Sequence, residues 1–311
     1  MDRLLIDLIN AFGVSGNEDE VKNIIKEELK ETNFKILEDS LGNLIVTMGT
    51  GKKKIMVCSH MDSIGFIASF IENNGLIKVE KIGNFQSKDI VHSIVKFKNG
   101  TIGKMVINKD ELFIDIGLTE KEEVLKFVEE GDTACLVGPC ISKEHSIIGA
   151  NLDNRVGCYV LLKLLKELSH SENEIYFVFS TQQQLGGRGA RAAAYKINPE
   201  YCIVLDLEDI KDVINGDGVK LGNGSLIKVM DKTLIMHEEI KEMLDKSAEV
   251  LGINLQYGIS NSTSDGGLIH KEGYGIKTGE ISIPCKYKNS FSAMVSSEDI
   301  NQCIKILKGI L

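Results

Sequence analysis

His60 and Asp62 close an apolar run, KKKIMVCSHMD, and stand one residue apart. On an extended backbone alternate residues face the same side, so an imidazole and a carboxylate emerge together at a strand end. Two further carboxylates have comparable settings: Asp153 in GANLDNRVGC, just ahead of an apolar helix, and Asp206 at the end of YCIVLDL. Gln182, Gln183 and Gln184 follow the run EIYFVFST, Asn289 follows ISIPCKYK, and Asp265 lies in SNSTSDGG. Singly, each has an ordinary explanation: an Asp before a helix caps it, and an Asp after a strand starts a turn. Taken together, His60, Asp153 and Asp206 can converge on one divalent cation, and imidazole plus carboxylate donors suit Zn²⁺, Co²⁺ or Mn²⁺. Asp62 would then hydrogen-bond the other nitrogen of His60 and fix its tautomer.

Such convergence needs a scaffold that brings strand ends together. The chain alternates strand-like and helix-like segments: VGCYVLLKLLKEL, EIYFVFST, YCIVLDL, LIMHEEIKEMLDKSAEVLG and TGEISIP follow in order. That alternation predicts an α/β fold with a mostly parallel sheet flanked by helices, and ligands in such sheets bind at the carboxyl ends of strands. Residues 35–50 read as two strands around a Gly-Asn turn. Asn17 and Glu20 read as a capping box, and a closing helix begins near Ser296 with Asp299 as capping partner. Residues 65–145 differ, with short strands (GFIASFI, GLIKVEKIG, SIVKFKNG, TIGKMVI, ELFIDIG) broken by Asn-Gly turns, a helical stretch KEEVLKFVEEG and then TACLVGP. They read as an inserted β-rich domain, with 1–64 and 146–311 forming one discontinuous α/β domain.

Composition bounds the partners. The 311 residues carry 36 basic and 45 acidic side chains, a net charge of −9, which disfavours nucleic acid and anionic membranes as partners. No apolar run is long enough to span a bilayer, and the first residues lack the unbroken apolar core of a signal peptide. Most of the seven cysteines sit in apolar runs, as core thiols do. A reduced, cytoplasmic protein is expected.

The segments CSHMDSIGF, GANLDNRVGCYVLL, STQQQLGGRGARAAAYKI, CIVLDL and GEISIPCKYKNS resemble, in order and context, those of the M42 metalloaminopeptidases. The resemblance covers essentially the whole chain. It implies a zinc-peptidase-like fold whose insert is a PDZ-like dimerisation domain. It further implies a two-metal site that removes N-terminal residues from short peptides, and assembly as dimers that in many members build tetrahedral dodecamers. Some relatives carry the label endoglucanase. One family metal site maps onto His60, Asp153 and Asp206, and the family's catalytic Asp onto Asp62. The second site would take Asp153, Gln184 where the family has Glu, and Asn289 where it has His. The family's general-base Glu falls on Gln183. The connection between TIGKMVI and ELFIDIG is also shorter than is usual there.

These substitutions have physical consequences. An amide cannot accept a proton from an attacking water near neutral pH, and losing a positioned base costs about 10²–10⁴ in rate. Two divalent ions about 3.5–4 Å apart need anionic ligands around them. Asp153 and Asp206 alone neutralise one. The expectation is therefore at most one metal per chain and loss of two-metal hydrolysis. Such a protein would bind peptides or co-assemble, as a homo-oligomer or with an active paralogue. Two alternatives stand beside it: a working metal-dependent aminopeptidase, and a purely structural protein without metal or peptide affinity. Glu208, Asp209 and Glu280 are the carboxylates that could move in to rescue the site, and His270 is a spare imidazole.

Overall fold

A computed structural model describes residues 1–108, 111–214 and 218–311. In chain order the elements begin with α1 (Arg3–Asn10), α2 (Asp19–Leu29), β1 (Lys35–Glu38), β2 (Leu44–Met48) and β3 (Lys54–His60). The insert follows as β4 (Gly65–Ile71), β5 (Ile77–Ile82), β6 (Ile94–Phe97), β7 (Ile102–Asn108), β8 (Glu111–Asp115), α3 (Lys121–Val124) and β9 (Thr133–Val137). Next come β10 (Cys140–Lys143), β11 (Ser146–Gly149), α4 (Leu152–Glu167), β12 (Glu174–Ser180), α5 (Arg188–Ile197), β13 (Tyr201–Asp209) and β14 (Val213–Ile214). The chain closes with β15 (Leu226–Met230), α6 (Glu238–Leu251), β16 (Gln256–Ser260), α7 (Gly266–Ile269), β17 (Lys277–Lys286), β18 (Ala293–Ser296) and α8 (Ser297–Lys308).

Strand alternation explains how the large sheet is covered. In β3, Ile55 and Val57 face a core shared with α1, α2, α4, α6 and α8, whereas Met56 and Cys58 face a smaller one with α5 and α7. In β13, Ile203 and Leu205 join the first core, and Cys202 and Val204 the second. Helices on both sides of the sheet agree with the expectation from sequence.

The sheet is mixed rather than mostly parallel. Its order is β1-β2-β12-β3-β13-β17-β15-β16-β14, with β10, β11 and β18 attached beside β17. Parallel pairing is confined to the run β12-β3-β13-β17 and to β15 with β16. Around that centre, β1, β14, β10 and β11 pair antiparallel with their neighbours. The reason is local: short turns such as the one after β1 return the chain antiparallel, whereas parallel neighbours need a helical crossover.

The insert is a closed six-stranded barrel, β4-β5-β8-β7-β6-β9, packed around Phe66, Val95, Phe97, Met105 and Ile114. Closure removes the free edges that short strands would otherwise expose. Its helical stretch is a single turn, α3. The strand β10, on the insert side of residue 145, pairs within the large sheet instead. The short connection between β7 and β8 includes residues 109 and 110, which lie outside the described residues.

Two capping expectations are corrected. Glu20 accepts the backbone N–H of Phe12 and Asn17 accepts from Lys98, so they tie loops together instead of closing a capping box on α2. Ser296 does cap α8, accepting from the N–H of Glu298. Asp299 turns away and accepts the N–H groups of Gly222 and Gly224.

Candidate metal centre

Register brings the first two site residues together. Cys58 of β3 pairs with Val204 of β13, so His60 and Asp206, each two residues further along, emerge side by side. Asp206 is not at a strand end, since β13 continues to Asp209. The third residue, Asp153, comes from the irregular start of α4, where Asn151 has φ 55° and Asp153 itself is non-helical. Its neighbours pin it. Asn154 Nδ2 donates to Leu205 O at 2.7 Å, and Arg155 Nε to Met61 O at 2.6 Å. Gly157 lets this turn lie against β3, because a Cβ there would sit 2.1 Å from Ser59 Oγ.

The result is compact. His60 Nε2 lies 3.6 Å from both Asp153 Oδ1 and Asp206 Oδ1, and all three residues are buried. Donors about 2.0–2.2 Å from a tetrahedral Zn²⁺ stand roughly 3.4 Å apart, so the spacing suits one ion. His60 Nε2 and Asp153 Oδ1 accept or donate no hydrogen bond, which is costly for buried polar atoms unless a ligand uses them. The residues therefore fit one divalent ion. Burial opposes charge on His60, yet Asp153, Asp206 and Asp62 outweigh it and push the imidazole well above its usual range. Burial likewise works against ionised Asp206, but Lys288 and His60 hold its carboxyl well below the ordinary value.

Asp62 is beside His60, though in a different role from the one its spacing suggests. Its main-chain oxygen faces His60 Nδ1 at 2.9 Å, while its carboxylate oxygen stands 3.5 Å from that atom. The carboxylate is committed elsewhere, accepting from Ser15 Oγ and from the backbone N–H groups of Gln183 and Gln184. It is the backbone oxygen that orients the ring. Gln182, with φ 56°, donates its own N–H to Glu18, whose carboxyl is raised by burial and by the nearby charge of Asp62.

The two amides at the second-site positions, Gln184 and Asn289, point to different partners. Gln184 Nε2 points a donor at Asp153 Oδ2 from 3.5 Å, which is the wrong polarity for sharing a cation. Asn289 faces away and donates to Asn84 O at 3.3 Å. Lys288, its predecessor, turns inward instead, with Nζ 3.3 Å from Asp153 Oδ1 and 3.6 Å from Asp206 Oδ1. Burial lowers the basicity of this lysine, but Asp153, Asp206 and Glu208 more than offset it and raise the ammonium well above the usual lysine range. This ammonium faces the two carboxylates that would carry a metal.

None of the rescue candidates joins the cluster. Lys228 is buried between Glu208 Oε2 at 2.7 Å and Glu280 Oε1 at 2.6 Å, and Ser260, Ser262 and Ser282 take further carboxylate lone pairs. Asp209 accepts the N–H groups of Lys211 and Lys288. His270 Nδ1 faces Gly266 O within α7. Among the described residues, His60, Asp153 and Asp206 are the group whose ligand atoms could hold a metal. Asp265 lies behind them, where Ser180 donates to it and burial pushes its carboxyl up to about 7.

Reading residue types missed two structural supports. Arg155 is fully buried and donates to Met61 O, Leu8 O, Ala11 O and Gly13 O, which fastens the chain before and after β3. Lys288 was visible as a charge next to Asn289 in YKNS, but adjacency does not reveal which of two neighbours faces inward. A cavity of about 410 Å³ opens beside the cluster, lined in part by Asp153, Gln183, Gln184, Lys288 and Asn289.

A parallel α/β centre with a His and an Asp from neighbouring strands and a second Asp from the start of a helix has the framework of a metal-dependent hydrolase. Comparison with known proteins makes this specific. The chain matches the M42 glutamyl aminopeptidase family over residues 42–306, and it belongs to that family. It is 39% identical to a protein of Acetivibrio thermocellus described as "Putative aminopeptidase", an alignment covering 97% of each chain. The solved aminopeptidase APDkam598 of Desulfurococcus kamchatkensis is similar at 30% identity and TM-score 0.92, covering 98% of this chain and 92% of that one. The TET1 peptidase of Pyrococcus horikoshii, described as assembling into a tetrahedron or a large octahedral shell, matches at 26% identity and TM-score 0.91, with 98% and 97% covered. Among the described residues, no helix is long and apolar enough to cross a membrane.

Proposed function

We propose that this protein is an M42-type peptide-binding protein in which ordinary two-metal hydrolysis is lost. It binds at most one divalent ion, Zn²⁺, Co²⁺ or Mn²⁺, through His60, Asp153 and Asp206. The observation that carries this reading is the side-chain amide of Gln184 directed at Asp153 from 3.5 Å, with a second amide, Gln183, at the general-base position.

A divalent ion held there would supply a Lewis acid able to polarise a peptide carbonyl. The remaining chemistry falls to the chain itself. Asp62 is fully buried and committed to Ser15 and to two backbone N–H groups, so it orients the loop and is not free to take a proton from solvent. Gln183 and Gln184 can hydrogen-bond a peptide at the mouth of the cavity, but an amide has no basicity with which to activate water. Short peptides are the ligand class that the cavity and the family suggest. The barrel is the dimerisation module, PDZ-like, within the insert of residues 65–145, whose last strand β10 joins the sheet of the peptidase-like domain formed by 1–64 and 146–311. Self-assembly as a dimer or dodecamer, or co-assembly with an active paralogue, and a cytoplasmic location complete the proposal.

The intact His-Asp-Asp cluster favours one competing reading, a one-metal aminopeptidase that releases N-terminal residues from short peptides. Metal analysis after dialysis against Zn²⁺ or Co²⁺, paired with release assays on aminoacyl substrates, separates the two. One ion without turnover is expected. Two tightly held ions per chain with robust turnover would overturn the proposal.

A further inference from the structure

The metal centre already contains a cation of its own. Lys288 Nζ approaches Asp153 Oδ1 and Asp206 Oδ1 at 3.3 and 3.6 Å. Those are the same two oxygen atoms that face His60 Nε2, each at 3.6 Å. The lysine side chain is only 18% exposed, and its ammonium also donates to Leu207 O. Its backbone N–H is held by Asp209 Oδ2 at 2.9 Å. Tyr287 and Asn289 on either side have φ of 58° and 62°, so the chain kinks before and after Lys288. That double kink aims the lysine inward and sends Asn289 to the Asn84 carbonyl.

We propose that Lys288 is the resident cation of this site: its ammonium takes the place of a second divalent ion on Asp153 and Asp206, and weakens binding of the first. This rests on the mononuclear reading above. Two carboxylates carry two negative charges, and the lysine neutralises one before any metal arrives. Gln183 and Gln184 add none. An incoming divalent ion must share both carboxylates with an ammonium a few ångströms away, and like charges at that range in a buried site repel strongly. The lysine also gives the clustered carboxylates a counter-charge when no metal is bound, so the fold does not depend on one. Lys228, a buried lysine nearby, is engaged by Glu208 and Glu280 and does not perform this function.

The test is equilibrium dialysis of the full chain against Zn²⁺ or Co²⁺ with metal analysis, read together with melting temperature. Lys288→Met should bind the first ion about tenfold or more tightly than the wild type. It should also melt lower without metal and gain more from added Zn²⁺. Lys288→Gln, which keeps a polar group in place, is read the same way should the Met variant not fold. Adding Gln183→Glu, Gln184→Glu and Asn289→His should yield a second bound ion only in a chain that also lacks the lysine. Affinity within about twofold of wild type in both lysine variants overturns the proposal, as does a second ion bound with Lys288 still present. Two ions in the unaltered chain, with turnover, would instead overturn the mononuclear reading beneath it.

Discussion

Asp62 Oδ2 accepts the backbone N–H of Gln184 at 2.9 Å, and Oδ1 accepts that of Gln183 at 2.9 Å. A buried carboxylate at the end of β3 thus sets the main chain after β12, whatever side chains stand at 183 and 184. Asp62→Asn would turn an amide donor toward one of these donors. We expect a loss of about 2–3 kcal/mol, read as a lower urea midpoint with an unchanged slope.

Arg155 is the counterpart on the other side of β3, spanning carbonyls of Leu8, Ala11, Gly13 and Met61. Arg155→Met keeps bulk but leaves those buried acceptors without a donor. Destabilisation of about 3–5 kcal/mol is expected in denaturant unfolding, with amide exchange around residues 8–13 rising first.

Gly157 sits where the start of α4 meets β3. A methyl group there would lie 2.1 Å from Ser59 Oγ and 2.4 Å from Asn154 Oδ1, so neither side can give cheaply. Gly157→Ala should cost about 1–3 kcal/mol despite the better helix propensity of alanine. A more stable variant in urea melts would refute this account of the α4 start.

Asp265 gives the fold a pH dependence. Its carboxyl titrates near about 7 in the folded chain against 3.8 ordinarily, because burial penalises the charge. The folded state therefore binds the proton more tightly. Its contribution is full below the unfolded value and is lost as pH rises toward 7, by on the order of 4 kcal/mol. Asp265→Asn should flatten that part of the stability–pH curve measured by chemical denaturation.

Divalent metal should stabilise the protein through His60. Binding to the folded chain alone adds about 2.7 kcal/mol at a hundredfold excess over the dissociation constant. In the wild type the melting temperature should rise with added Zn²⁺ or Co²⁺, and His60→Ala should abolish that rise. A His60→Ala chain that still responds fully would place the bound ion elsewhere.

Much of this architecture was legible in the one-dimensional pattern. Alternating apolar runs identified β3, β12, β13 and β17 and the helices around them, because burial on both faces demands continuous apolar strands. The convergence of His60, Asp153 and Asp206 was read from their places after apolar runs and before an apolar helix, although Asp206 proves to lie within β13. The direction of the outer strands did not follow, since an apolar run reads the same in either orientation. The caps at Asn17 and Asp299 failed for a related reason: a short polar side chain can bond to a local N–H or to one distant in sequence, and only packing chooses.

The sequence by itself determined that this chain has an M42 framework, retains one His-Asp-Asp set and has amides at positions 183, 184 and 289. These are facts of residue type, and charge and basicity are inherent in type. Only the tertiary structure decided which way each of those residues points. Asp62 spends its carboxylate on Ser15 and on the backbone just after β12, Glu208 and Glu280 are held by Lys228, and the kinked chain at 287–289 delivers Lys288 to Asp153. Side-chain direction depends on backbone dihedrals and on hydrogen bonds between residues far apart in the chain, and neither is carried by local spacing.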